Sequence, residues 1–239
     1  MTSLLFREDA YRREADAVVT GQEPGAIALD ATVFYPQGGG QPGDTGVLRD
    51  PDGRTLAVLD TVWAPDRTTV LHRLAAGDEH GLPVGTTVTA ALDWPRRFAR
   101  MRIHTALHLL TTVLAFPVTG GSVGDGEGRL DFDMPDGADR AAIEAALNER
   151  IALDLPVTTR WITDEQLLAN PGLVKTMSVK PPTGTGRVRL VAIGTIDLQP
   201  CGGTHVAHTG EIGRVAVTGI EKKGKQNRRV RIALSEPSA

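Results

Sequence analysis

One cysteine, Cys201, is all the thiol chemistry in this sequence of 239 residues. An internal disulfide is therefore excluded, and a lone thiol in a reducing compartment is buried, reactive or a ligand. Aromatic residues make up only 4 % of the chain. No apolar run approaches the roughly 18 residues a membrane-spanning helix needs, and Arg7, Glu8 and Asp9 interrupt any signal-peptide core at the N-terminus. The expected compartment is cytoplasmic. No phosphate-cradling GxxxxGK motif and no ATP-activating motif is present. Repeats and low-complexity tracts are also missing, and with 41 % hydrophobic and 23 % charged residues the composition is that of a globular protein.

Charge of one sign is lacking overall but not locally. The net charge is −3; residues 1–90 carry 13 acids against 7 bases, and the remainder 16 against 19. The second part is thus the expected nucleic-acid surface. The order of elements changes at the same place. Residues 1–92 read as short strands (Ala15–Val19, Ala26–Leu29, Thr55–Val62, Thr68–Leu71, Thr86–Leu92) punctuated by Gly21, Pro24-Gly25, Asp52-Gly53 and Gly81. From 93 onward helices and strands mix. The expected fold class is α+β: a small N-terminal β-barrel-like domain (1–92) followed by a two-layer α+β domain (93–239).

What is present is a set of histidines and glycines at telling spacings. Asp93 suits an N-cap, Pro95 a first turn, and Pro117 a stop, so Met101-Arg-Ile-His-Thr-Ala-Leu-His-Leu-Leu110 falls inside a helix. Residues four apart share a helix face, so His104 and His108 aim at one point. Far downstream, Cys201-Gly-Gly-Thr-His205 offers a thiolate and a third imidazole across a turn eased by glycine. For either half alone, core packing is an ordinary explanation. Together they supply the four N/S donors of a tetrahedral zinc site. A zinc peptidase shares the histidine spacing but needs a glutamate at position 105, which is Thr. His208 reads as a surface residue.

Two glycine-rich stretches, Gly38-Gly-Gly-Gln41 and Thr119-Gly-Gly121, allow backbone N–H groups to approach a ligand, with a plain flexible turn as the alternative. Arg96, Arg97 and Arg100 crowd the first half of the helix, where cations oppose its dipole, and Lys222, Lys223, Lys225, Arg228 and Arg229 crowd a C-terminal hairpin connector. Phosphate contacts account for both clusters, with a solvated polar face as the alternative.

Phe34-Tyr-Pro-Gln-Gly-Gly-Gly-Gln-Pro-Gly-Asp-Thr-Gly46, His104-Thr-Ala-Leu-His108, Cys201-Gly-Gly-Thr-His205 and Thr209-Gly-Glu-Ile-Gly213, in this order, resemble the editing domain of alanyl-tRNA synthetase and its freestanding relatives, the AlaX proteins. The resemblance covers nearly the whole chain and is closest to the longer AlaX form. It implies zinc held by His104, His108, Cys201 and His205. It also implies trans hydrolysis of the ester in tRNA(Ala) mischarged with serine, and sometimes glycine. Where the synthetase domain commonly has a glutamine before a Gly-Ser pair, this chain has Thr119, which is therefore the expected specificity residue together with Gln41. Two alternatives stay open at this point: a zinc-stabilised RNA-binding module without catalysis, and a metal-dependent amidase or peptidase.

Overall fold

The computed structural model describes residues 1–78, 82–134, 139–176 and 186–235; Gly81, read above as a turn marker, lies outside them. The chain divides into two compact units, Met1–Phe98 and Ala99–Ala239.

The first unit contains β1 (Ser3–Leu4), β2 (Glu14–Glu23), β3 (Ala26–Leu29), β4 (Ala31–Thr32), β5 (Gly46–Arg49), β6 (Thr55–Trp63), β7 (Val70–Leu74) and β8 (Thr87–Leu92). Six of these close into a barrel in the order β2-β3-β7-β6-β5-β8, which removes the sheet edges. Alternation dictates this arrangement. Ala15, Ala17 and Val19 on β2, Leu56 and Val58 on β6, and Val88 and Ala90 on β8 point inward and pack in one apolar cluster with Ile27, Leu29 and Leu48. His72 on β7 is fully buried. Its Nδ1 donates to the Ile27 carbonyl at 3.1 Å, and Nε2 accepts from Thr32 Oγ1 at 2.8 Å, a pairing that fits a neutral ring.

Helix α1 (Trp94–Val113) starts where expected, with Asp93 Oδ1 accepting from the Arg96 N–H at 3.3 Å. The division between units falls within its first turns rather than before it, because Arg97 belongs to the interior of the first unit. That guanidinium is 1 % exposed. Its Nε donates to Asp44 Oδ2 at 2.8 Å, and its terminal nitrogens bond the same carboxylate and the carbonyls of Val33 and Ala10.

In the second unit, β9 (Val118–Val123), β10 (Glu127–Asp133), β14 (Val215–Gly224) and β15 (Asn227–Leu234) form an antiparallel sheet ordered β14-β15-β10-β9, and β11 (Val157–Thr163), β12 (Arg187–Ile193) and β13 (Asp197–Pro200) form another. Helix α2 (Arg140–Ala152) buries Ile143, Leu147 and Ile151 and is capped by Asp139. The short α3 (Asp164–Leu168) has the Thr163/Gln166 capping box its sequence announces. Pro117 to Gly124, expected as a loop, is instead largely strand β9. Its glycines serve packing: a Cβ on Gly121 would come 2.8 Å from Leu130 Cδ2. The same economy on β10 lets the sheet approach α1, since a Cβ on Gly128 would meet Ile103 Cγ2 at 2.6 Å and Leu107 Cδ1 at 3.1 Å.

Candidate metal centre

The Ile103 and Leu107 stripe against the sheet fixes the rotation of α1 and turns the next residues, His104 and His108, toward the β13 side. The chain leaving β13 delivers Cys201, and the turn after it delivers His205. The ligand atoms of His104, His108, Cys201 and His205 lie within 4.8 Å of one another. Cys201 Sγ is 3.5 Å from His104 Nε2 and 3.3 Å from His205 Nε2. A tetrahedral ion with Zn–N near 2.0–2.1 Å and Zn–S near 2.3 Å requires donor separations of roughly 3.3–3.6 Å, so these two edges fit zinc.

The rings are held by a shell of residues that motif reading does not single out. Thr105 Oγ1 donates to the Met101 carbonyl at 2.9 Å, so it can only accept from His205 Nδ1, 3.1 Å away; the lone pair of His205 is then on Nε2, facing Cys201. His108 Nδ1 donates to Asp197 Oδ2 at 3.2 Å, which frees its Nε2 in the same way. Asp197 also accepts from Lys175 Nζ at 2.5 Å and Gln199 Nε2 at 2.8 Å, and Lys175 donates onward to Thr111 Oγ1 at 3.1 Å. Arg189 Nη1 donates to the carbonyls of Cys201 and Gly203 at 3.1 and 2.8 Å, clamping the turn that carries the thiol. A carboxylate behind a ligating imidazole is the usual orienting partner in metal sites. One signal for it is present in the sequence: Asp197, Gln199 and Cys201 alternate, and alternate residues of a strand share a face.

The electrostatics favour the ligating forms of two groups and oppose that of a third. Burial alone would raise the Cys201 thiol, but the charges of His104 and His205 and hydrogen bonds to the histidines outweigh it and hold the pKa well below a free thiol's. His205 is pushed down to about 3 by burial and by the charge of His104. Burial also disfavours the His108 cation, yet Asp197 and Cys201 prevail and raise it to about 9. Asp197, despite burial, is held down at about 2 by His108 and Lys175. A metal ion entering at neutral pH therefore displaces a proton from His108.

The other residues singled out from the sequence are distributed as follows. Gly38 and Gln41 exchange both backbone hydrogen bonds, 3.0 and 2.9 Å, in a tight turn where Gly39 and Gly40 have φ of 56° and 82°. Gln41 is buried at 1 % exposure, so what this turn presents outward is backbone. Thr119 Oγ1 donates to the Asp131 carbonyl at 3.1 Å and accepts from Asn227 Nδ2 at 2.8 Å, while Gly120 and Gly121 pair with Asp131 and Leu130 in the sheet. The cations divide. Arg97 is committed to Asp44, a structural task in place of the phosphate contact read from the sequence, because a buried guanidinium needs an anion beside it. Arg100 is buried against Asp125 at 2.5 Å, Arg228 is buried, and Arg229 pairs with Asp131 at 2.7 Å. Arg96, Lys222, Lys223 and Lys225 remain exposed. His208 is exposed, its Nδ1 3.2 Å from the Asp154 carbonyl.

Comparison with known proteins gives the family. Residues 188–231 match the family model described as the threonyl and alanyl tRNA synthetase second additional domain, and residues 5–96 match that of class II (A) tRNA synthetases. Barrel, histidine helix and Cys-x-x-x-His turn thus define a protein of the synthetase editing-domain class. The alanyl-tRNA editing protein AlaX-M of Methanosarcina mazei is 35 % identical over 100 % of this chain and 99 % of its own length, and that of Saccharolobus solfataricus 34 % identical over 96 % and 98 %. The alanine–tRNA ligase of Methanothrix thermoacetophila is 34 % identical over 98 % of this chain but only 26 % of its own length. The chain belongs to the AlaX family of alanyl-tRNA editing proteins.

Proposed function

We propose that this protein is a trans-editing hydrolase that deacylates mischarged tRNA(Ala), chiefly Ser-tRNA(Ala) and secondarily Gly-tRNA(Ala), in the cytoplasm, at a site organised by zinc. By family it is an aminoacyl-tRNA hydrolase, a carboxylic ester hydrolase. The observation that carries the zinc is the gathering of four N/S donors within 4.8 Å, two of its edges at zinc-like separations and two of its imidazoles oriented by Thr105 and Asp197. An aminoacyl ester is already activated, so placing water and stabilising the oxyanion suffice for a large rate gain. Four protein donors fill a tetrahedral shell, so zinc bound to them would organise the pocket and would act as a Lewis acid at the reacting end only by taking a fifth ligand. The protein's own residues supply the orientation. Backbone N–H groups at Gly38–Gly40 and Gly120–Gly121 are assigned to the ester and ribose, and Thr119 to discrimination. A site that bonds the serine hydroxyl leaves its polar groups unpaired when alanine enters, and alanine then reacts more slowly.

Arg96, Lys222, Lys223 and Lys225 are the exposed cations assigned to acceptor-stem phosphates, contacts that add affinity without reading sequence. The test is to incubate the protein with Ser-, Gly- and Ala-tRNA(Ala) and with a peptide. Loss of the seryl ester ahead of the alanyl ester supports the function. Cleavage of the peptide alone would assign a peptidase, and loss of nothing an RNA-binding module.

A further inference from the structure

We propose that Trp161 and Arg187 form a stacking platform for a nucleobase of the single-stranded 3′ end of the RNA, immediately preceding the terminal nucleotide whose ester reaches the metal centre. The proposal rests on the editing function above and assigns that site a further piece of its substrate.

The placement follows from sheet register. In β12–β13, Val191 pairs with Gln199 and Ile193 with Asp197, so the face carrying Arg187, Arg189, Val191 and Ile193 is the one from which Asp197 reaches His108. In β11–β12, Trp161 pairs directly with Arg189, and directly opposed residues share a face. Trp161 therefore stands on the metal side of this sheet. On the other flank of Arg189, the Cys201 N–H bonds the Arg189 carbonyl at 3.1 Å. Cys201, Arg189 and Trp161 thus form one row across three strands. At about 4.8 Å per strand, the row sets Trp161 roughly 10 Å from Cys201 along the backbone plane.

The chemistry of the position suits a base. Trp161 is 40 % exposed at the edge of the sheet, whereas Val188, Leu190 and Val191 of the neighbouring strand are buried. The Arg187 guanidinium carbon lies 4.7 Å from the centroid of its ring. An indole and a guanidinium stacked together are the two planar groups with which proteins hold unpaired bases, and the cation also serves the adjoining phosphate. An apolar protein partner would have to desolvate the exposed Arg187 cation on this face, whereas a phosphate chain meets it with opposite charge.

The decisive experiment compares two substrates, Ser-tRNA(Ala) and seryl-adenosine, which lacks every nucleotide before the last. Trp161→Ala is expected to lower the ratio of kcat/KM on the tRNA to that on the nucleoside ester about 5- to 150-fold, the range found for one base–aromatic stack, and Trp161→Phe to restore most of it. An unchanged ratio overturns the platform. A second measurement does not depend on the alanine variant folding. In a Trp63→Phe, Trp94→Phe background Trp161 is the remaining tryptophan, and a single-stranded ACCA oligonucleotide should quench its emission saturably. No response to RNA overturns the proposal, and a shift that tracks protein concentration instead overturns it by assigning the surface to a second copy of the chain. The two readings fail separately. Quenching without any deacylation refutes the editing function and leaves the platform standing, whereas deacylation with neither signal refutes the platform alone.

Discussion

Replacing Asp197 with Asn keeps the side chain's shape and removes its charge, and the consequence can be worked out from its hydrogen bonds. Asp197 is fully buried and holds His108 Nδ1 at 3.2 Å, Lys175 Nζ at 2.5 Å and Gln199 Nε2 at 2.8 Å. His108 and Gln199 share Oδ2 and Lys175 holds Oδ1, so an amide serves one side only; the ammonium, a full charge, takes the single oxygen, and the NH2 is left against the His108 Nδ1–H. The ring of His108 then loses its fixed orientation, a change that costs metal sites roughly 10- to 100-fold in affinity, or about 1.4–2.7 kcal/mol. A second effect has the opposite sign. Without the carboxylate, the His108 cation is less favoured, so a proton competes less with the metal. With the native pKa raised to about 9, that relief is at most about twofold when measured at pH 9, and the orienting loss dominates there. Zinc affinity should be read at pH 9 by competition with a chromophoric chelator, alongside the visible spectrum of the cobalt-loaded protein. A dissociation constant within about threefold of the native protein's, with an unaltered cobalt spectrum, would refute the idea that Asp197 orients a ligand.

Two other expectations concern the barrel and the basic turn. His72 is fully buried, and burial depresses it to about 4 from an ordinary 6.5, so the unfolded chain binds the extra proton between those values. Its contribution is fully present above pH 6.5 and is lost as pH falls toward 4, about 3 kcal/mol in all and roughly 2 kcal/mol of it by pH 5. Urea unfolding at pH 7 and pH 5 should show that this part of the slope is missing in His72→Gln; equal slopes in the two proteins would exclude the residue as its source. Changing Lys222, Lys223 and Lys225 together to Gln should weaken tRNA binding and flatten its dependence on log[salt] by about 0.7–0.9 for each phosphate no longer neutralised, and an unaltered slope in a filter-binding series would take the phosphates away from this turn.

Much of the fold is legible in the sequence because it is written in short-range periodicity. Two-residue alternation marks the strands of residues 1–92, the Asp93 and Pro117 bounds frame α1, and Thr163 with Gln166 announces α3. The two motifs that meet at the candidate metal centre are legible too, because, taken together, their residue types complete one set of four N/S donors. The rest depends on meetings between distant positions. Among Arg96, Arg97, Arg100 and Arg102 in the first half of α1 nothing local distinguishes Arg97, yet it alone is fixed on Asp44, 53 residues earlier, and buried with it. Asp197 meets His108 across 89 residues, and Thr105 meets His205 across 100. The stretch around Gly120 and Gly121 reads as a loop because glycine disfavours strands by itself, and it becomes β9 because the neighbouring side chain of Leu130 fills the space a Cβ on Gly121 would occupy.

In the proposed metal centre Cys201 is the donor added to the histidines, so its replacement tests the central claim most directly. In Cys201→Ala, zinc content measured on the purified protein and deacylation of Ser-tRNA(Ala) measured on the same sample are predicted to fall together. Full deacylation by a zinc-free protein would contradict it.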